Sequence, residues 1–233
     1  EIDARIIKLY QTNNNPKYGY NEPIQTFKAR TDLPPELFNL DILDGSPPCS
    51  TFSMAGSRED AWGKMKHFRE GQAEQVLDTL FFDFIDLAKK LQPKVVIAEN
   101  VKGLLIGNAF NYVQRIYSEF ERAGYYVRHF LLDAQYMGVP QRRERVFFVC
   151  LRKDLAEPFL ERVSLFEEAP MINMDFNEKP ILFGDVADFS GRELSSKVVR
   201  TLWENRKYGD VYQCTANERL YEKHSYFNQS YVY

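Results

Sequence analysis

The sequence is poor in cysteine. It holds only Cys49, Cys150 and Cys214, too few for a disulfide scaffold and without the paired spacing of a zinc site, so no metal centre is expected. No stretch approaches the run of about 18 apolar residues that a membrane-spanning helix needs. The first residues, Glu1-Ile2-Asp3, lack the basic-then-apolar character of a secretory leader. With so few cysteines and no leader or membrane helix, the expected setting is a reducing cytoplasm of bacterial type. An excess of one charge is lacking too. Thirty Lys and Arg stand against 33 Asp and Glu, a net charge of −3, which excludes a uniformly basic, histone-like binder but not a local basic face. Core material is present: 44% hydrophobic residues against 27% charged exclude global disorder. The length of 233 residues suits one α/β domain, or a core domain with a small second one.

Pattern along the chain gives the layout. Residues 4–13 read as a short helix with Ile6, Ile7 and Tyr10 on one face, stopped by Asn13-Asn14-Asn15-Pro16. Residues 16–35 are turn-rich. Leu40-Asp41-Ile42-Leu43 is a short apolar run halted by Asp44-Gly45-Ser46-Pro47-Pro48, as in a buried strand that ends in a loop. Val76, Leu77, Leu80, Phe81, Phe84, Ile85, Ala88 and Leu91 fall at helical spacing before Pro93. A strand is predicted over 95–98, a second long helix over 108–123 with Gly124 as its cap, and strands over 125–132 and 145–151. Helices alternating with strands imply a mostly parallel sheet covered on both faces, with chemistry gathered beyond the carboxyl ends of the strands. After Lys153 the periodicity fades and aromatics dominate from Tyr208 onward. A domain boundary is therefore expected near 152, with residues 1–152 as the catalytic core and 153–233 as a small, irregular region.

Three elements at strand junctions could carry chemistry. Pro47-Pro48-Cys49 is either an exposed nucleophilic thiol held by two stiff prolines, or a small buried cysteine beside a turn. Cys150, inside Val146-Phe147-Phe148-Val149-Cys150, reads as a core thiol. Glu99, at the end of a β-branched run, is either a desolvated acid or base, or a helix-capping partner. In Gln141-Arg142-Arg143-Glu144-Arg145, Arg143 and Arg145 share a face if the segment is extended. Two guanidiniums facing one site suit an anionic or carbonyl-bearing ligand; the alternative is a solvated charged edge paired with Glu144.

In combination these elements resemble the DNA (cytosine-5) methyltransferase family. The resemblance rests on Gly45-Ser46-Pro47-Pro48-Cys49-Ser50-Thr51-Phe52-Ser53, on Val95 to Gly103 around Glu99-Asn100-Val101, and on Gly138-Val139-Pro140-Gln141-Arg142-Arg143-Glu144-Arg145. It covers residues 1 to about 152, with 153–233 where the family keeps its variable target-recognition region. It implies an α/β, Rossmann-like S-adenosylmethionine-dependent methyltransferase core. It makes Cys49 the nucleophile toward cytosine C6 and Glu99 the partner of N3 and the exocyclic amine. Arg145 would lie near O2 and the thiol, Arg143 and Gln141 would brace the cluster, and Asn100 would fix the loop. By the same resemblance, Glu1, Ile2, Ser46, Pro48 and Leu80 line the S-adenosylmethionine site. Ser53, Arg58, Lys64, Lys66 and Gln141 contact DNA, whose target base must be flipped out of the duplex. Duplex DNA is the implied partner, in a restriction–modification setting with a cognate endonuclease.

The family's Phe-x-Gly-x-Gly element and its last motifs have no counterpart in the sequence, so residues 1–233 alone are expected to bind S-adenosylmethionine poorly. Two other readings stay open: a tRNA cytosine-5 methyltransferase, which shares these motifs, and a non-catalytic relative, which usually loses the nucleophile or the acid.

Overall fold

In the computed structural model, residues 1–48, 79–106, 110–162 and 168–186 are described. Helix α1 spans Ala4–Asn14 and the short α2 spans Ile24–Ala29. Strand β1 is Ile42–Gly45, followed by helix α3, Leu80–Leu91, and β2, Val95–Val101. Then come α4, Phe110–Arg122, β3, Tyr125–Asp133, and β4, Glu144–Arg152. A single turn, α5 (Lys153–Ala156), leads to a small antiparallel ribbon of β5 (Leu160–Arg162) and β6 (Glu168–Pro170). The turn α6 is Phe183–Val186. Among the described residues, no helix is long and apolar enough to cross a membrane.

Among the described residues, the main sheet has four strands in the order β1-β2-β4-β3. β1 and β2 run parallel; β4 runs antiparallel to β2. The sheet is therefore mixed, not mostly parallel as the alternation predicts. The reason lies between β3 and β4: no helix carries the chain back to the starting end, so β4 enters reversed and slots in beside β2.

Period-two alternation decides the faces of the central strands. Val96, Ala98 and Asn100 of β2 pair with Cys150, Phe148 and Val146 of β4, and all six are buried. Against this face α3 packs Phe81, Phe84, Ile85 and Ala88, and α4 packs Tyr112, Val113, Ile116 and Phe120. Phe81 meets Phe148 edge to face at 5.5 Å between ring centres. Each of the buried Phe, Ile and Val side chains contributes about 1.5–3 kcal/mol. Tyr125 is fully buried and its hydroxyl donates to the Pro93 carbonyl at 2.8 Å, which satisfies its one polar atom. Gly124, at φ +96°, follows α4 where the sequence places a cap.

Three further expectations change. β1 is not the buried strand that its apolar run suggests: Ile42 is 57% exposed. α1 buries none of its side chains, and Tyr10, predicted on its apolar face, is 51% exposed. The turn-rich stretch 16–35 also contains α2. It is too short for periodicity to show, and it is fixed by tertiary contacts. Ile24 and Phe27 pack on Leu33, Leu87 and Leu91, while Lys28 Nζ pairs with Asp83 at 2.6 Å and Asp86 at 2.7 Å on α3.

The chain divides into two compact units. One holds 1–131 and 145–174; the other holds 132–144 and the described residues from 175 onward.

Candidate active site

In the first unit, the parallel register puts Gly45 opposite Ala98, so β1 and β2 finish side by side. Gly45 is required by close approach: a Cβ there would fall 2.6 Å from the Phe84 ring. The chain leaving β1, Ser46-Pro47-Pro48, then runs beside Glu99-Asn100. Asn100, only 3% exposed, joins the two. Its Nδ2 donates to the Pro47 carbonyl at 3.2 Å, and its Oδ1 accepts from the Val101 N–H at 2.9 Å. Both ends of a buried amide are thus used, where an unmet one would cost about 1–3 kcal/mol. The bond fixes the backbone two residues before Cys49. Cys49 itself, with Ser53, Arg58, Lys64 and Lys66, lies outside the described residues.

The antiparallel register places Arg145 opposite Val101, diagonal to Glu99 on the half-exposed face. Arg145 Nε approaches Glu99 Oε1 at 2.9 Å, with the two side chains 24% and 25% exposed. A pair this open to water adds about 1 kcal/mol or less to stability; its use is to hold a carboxylate and a guanidinium at one strand end. Of the sequence-predicted catalytic residues in this unit, the fold brings these two together. Arg143 belongs to the second unit and stands one position before β4, so strand alternation does not set its direction.

The cysteine contrast holds on the side of Cys150. It is fully buried, and desolvation pushes its thiol well above the ordinary range, which keeps it protonated and inert.

At the N-terminus, the chain is pinned by Asn21 Nδ2 donating to the Glu1 carbonyl at 2.9 Å. The exposed Glu1 carboxylate accepts from the Asp3 N–H through Oε1 at 2.9 Å. A carboxylate has about four acceptor positions, so this donor leaves room for hydroxyl groups. Ile2 beside it is half-buried, Ser46 is exposed and Pro48 is half-buried. Leu80 is buried in the first turn of α3.

In the second unit, residues 134–142 form a loop closed at its neck. Ala134 N–H donates to the Arg143 carbonyl at 3.1 Å. Arg143 N–H donates to Asp133 Oδ1 at 3.0 Å. Inside the loop, Gly138 sits at φ +73°, a left-handed conformation that favours glycine. Half-buried Gln141 donates its N–H to the Val139 carbonyl at 2.7 Å. Asp133 was not among the residues that sequence patterning selects. Its only signal is that it ends an alternating strand and precedes a turn.

The family model for C-5 cytosine-specific DNA methylase matches residues 1–231. The type II methyltransferase M.FnuDI of Fusobacterium nucleatum is 33% identical over 234 aligned residues, 99% of this chain and 56% of the relative. This chain belongs to the C-5 cytosine-specific DNA methylase family. M.NgoPII of Neisseria gonorrhoeae, also a type II methyltransferase, is 33% identical over 68% of this chain and 42% of its own length. The orphan methyltransferase M.SPRI of Bacillus phage SPR is 36% identical over 66% of this chain and 32% of its own. This methylase chain thus spans about half or less of each of these relatives. A solved DNA modification methyltransferase candidate from an Escherichia coli prophage superposes with a TM-score of 0.54 at 22% identity, covering 79% of this chain and 45% of its own. That likeness supports the methyltransferase fold: a mixed α/β sheet containing a parallel pair. The family match runs through Pro47-Pro48-Cys49, Glu99-Asn100-Val101 and Gln141 to Arg145, and continues past 186 into the residues not described.

Proposed function

We propose that this chain carries the catalytic centre of a methyltransferase that acts on C5 of cytosine in duplex DNA. The observation that carries the reading is the strand-end cluster. Glu99 and Arg145 are ion-paired at 2.9 Å, and the neighbouring Asn100 bonds the backbone that leads into Cys49.

C5 of cytosine is a weak nucleophile. The Cys49 thiolate adds to C6 and forms a C–S bond, which makes the ring enamine-like and nucleophilic at C5. Electron density moves toward N3 and O2 on addition. Glu99 holds N3 and accepts from the exocyclic amine, which offsets the charge that develops on addition. Arg145 donates at O2 and favours the nearby thiolate. When bound, S-adenosylmethionine would supply an electrophilic methyl group for C5, its sulfonium leaving as a neutral thioether. A base, water in the simplest case, then removes the C5 proton, the C6–S bond breaks and Cys49 leaves as thiolate. The donor's ribose hydroxyls suit the Glu1 carboxylate and its adenine suits Ile2, with Ser46, Pro48 and Leu80 as further lining. Ser53, Arg58, Lys64 and Lys66 supply phosphate contacts, which give affinity without sequence information, and Gln141 and Arg143 brace the reacting cluster. Residues 1–152 form the catalytic core and 153–233 the region that reads the target. Type II relatives favour a restriction–modification setting with an endonuclease of the same specificity.

The test is the intact mass of the full-length protein after incubation with S-adenosylmethionine and duplex DNA in which cytosine is replaced by 5-fluorocytosine. Fluorine at C5 blocks the release step, so the expected product is a protein–DNA adduct that is lost in Cys49→Ser. An adduct with 5-fluorocytosine tRNA but not with DNA would move the substrate to RNA. No adduct with either would defeat the reading.

A further inference from the structure

Outside the cluster just described, a dense set of hydrogen bonds lies at the neck of the 134–142 loop. Three donors converge on the Asp133 carboxylate. Oδ1 accepts from the Arg143 N–H at 3.0 Å and from the Gln135 N–H at 3.3 Å, and Oδ2 accepts from Gln135 Nε2 at 2.6 Å. The reverse bond, Ala134 N–H to the Arg143 carbonyl at 3.1 Å, completes a two-way tie between the end of β3 and the start of β4. Inside the tie, the Met137 and Val139 N–H groups both donate to the Ala134 carbonyl, at 3.0 and 3.3 Å. The turn that carries Gln141 therefore hangs from the residue next to Asp133. On the far side, the Glu178 N–H donates to the Tyr136 carbonyl at 3.1 Å.

From this geometry we infer that Asp133 is a positioning residue for the Gln141–Arg143 segment: its carboxylate fixes the backbone of Arg143 and so the direction in which that segment is presented. The inference rests on the proposed function above for what the segment does, and on geometry alone for the clamp. A backbone tie of this kind acts on rate because a displacement of about 1 Å in a bracing group can cost up to about a hundredfold. The demand is for an acceptor, not for charge. Asparagine at 133 would keep Oδ1 for both N–H groups, and its Nδ2 would meet Gln135 after a turn of the glutamine amide. Alanine would remove all three bonds.

The experiment compares Asp133→Ala and Asp133→Asn in the full-length protein by two readouts. The first is amide hydrogen exchange across 133–143. The second is single-turnover adduct formation on 5-fluorocytosine DNA at saturating DNA and donor. Asp133→Ala is expected to speed exchange at Arg143 and slow adduct formation by about tenfold. Asp133→Asn is expected to stay within about threefold of the parent in both. S-adenosylmethionine affinity should be unchanged in both variants. Unaltered exchange in Asp133→Ala, or an asparagine variant as impaired as the alanine one, overturns the clamp. Loss of donor affinity in parallel with rate shows a general structural role and also overturns it. If the parent protein forms no adduct, the proposed function fails, while the exchange data still decide the clamp.

Discussion

The two faces of the β2–β4 pair are built from alternate residues of the same two strands, yet they are used in opposite ways. On one face, Val96, Ala98, Val146, Phe148 and Cys150 are completely buried against α3 and α4. On the other, Glu99 and Arg145 stand a quarter exposed and ion-paired. Period two thus allows one strand pair to supply both a core and an open, charged edge, provided the register holds. Asn100 is the exception that connects them: a polar side chain on the buried face whose bonds reach the loop before Cys49.

The comparison can be broken on the packed side first. Phe148→Ala should cost about 3–5 kcal/mol of folding stability, read by urea denaturation, because the residue is fully buried and its cavity is enclosed by other rings. A loss below about 1 kcal/mol would mean that the face is not packed as described. Asn100→Ala should cost about 1–3 kcal/mol, since it strands the Val101 N–H and the Pro47 carbonyl. It should also slow adduct formation, because the path into Cys49 loosens. Glu99→Gln sharpens the contrast in the other direction. Stability should change by about 1 kcal/mol or less, yet adduct formation should fall by about a hundredfold or more. Equal losses of stability from Glu99→Gln and Phe148→Ala would erase the distinction between the faces.

The smallest effect concerns pH. His129 lies against Tyr117 and Phe148, at ring-centre distances of 5.8 and 5.9 Å, and its Nδ1 is 2.6 Å from the Tyr117 hydroxyl. Desolvation lowers its pKa from the ordinary 6.5. The folded state therefore binds this proton less readily than the unfolded state. The contribution of neutral His129 is fully present above about pH 6.5 and is lost as pH falls through the lower folded value. Because His129 is itself exposed, solvent weakens the effect: the thermal midpoint should drop only slightly between about pH 7 and 5, and the drop should shrink in His129→Gln. A pH profile unaltered by the substitution would assign that loss to other groups.

Much of this was legible in advance because it is periodic. The continuous apolar run in 145–151 marks β4 as a strand, although the run alone does not say that only Val146, Phe148 and Cys150 face the core, and helical spacing identifies the core residues of α3. The chemical elements were legible by residue type and by position at strand ends. The direction of β4 was not, because antiparallel insertion depends on which strand a returning chain meets, and no local pattern encodes that. For the same reason the Glu99–Arg145 pair was visible as two candidates but not as a contact. Whether Arg143 shares a face with Arg145 depended on the segment being extended, which residue type does not decide; Arg143 stands one position before β4, with its N–H bonded to Asp133, an ordinary turn residue by type.

The position of β4 has a consequence for how the chain is made. β4 lies between β2 and β3 in the sheet but follows both in sequence. As the polypeptide leaves the ribosome, β2 and β3 are complete before the strand that joins them exists. The nascent protein therefore carries two unpaired strand edges, each able to pair with a neighbouring molecule. Only synthesis beyond residue 152 closes the gap.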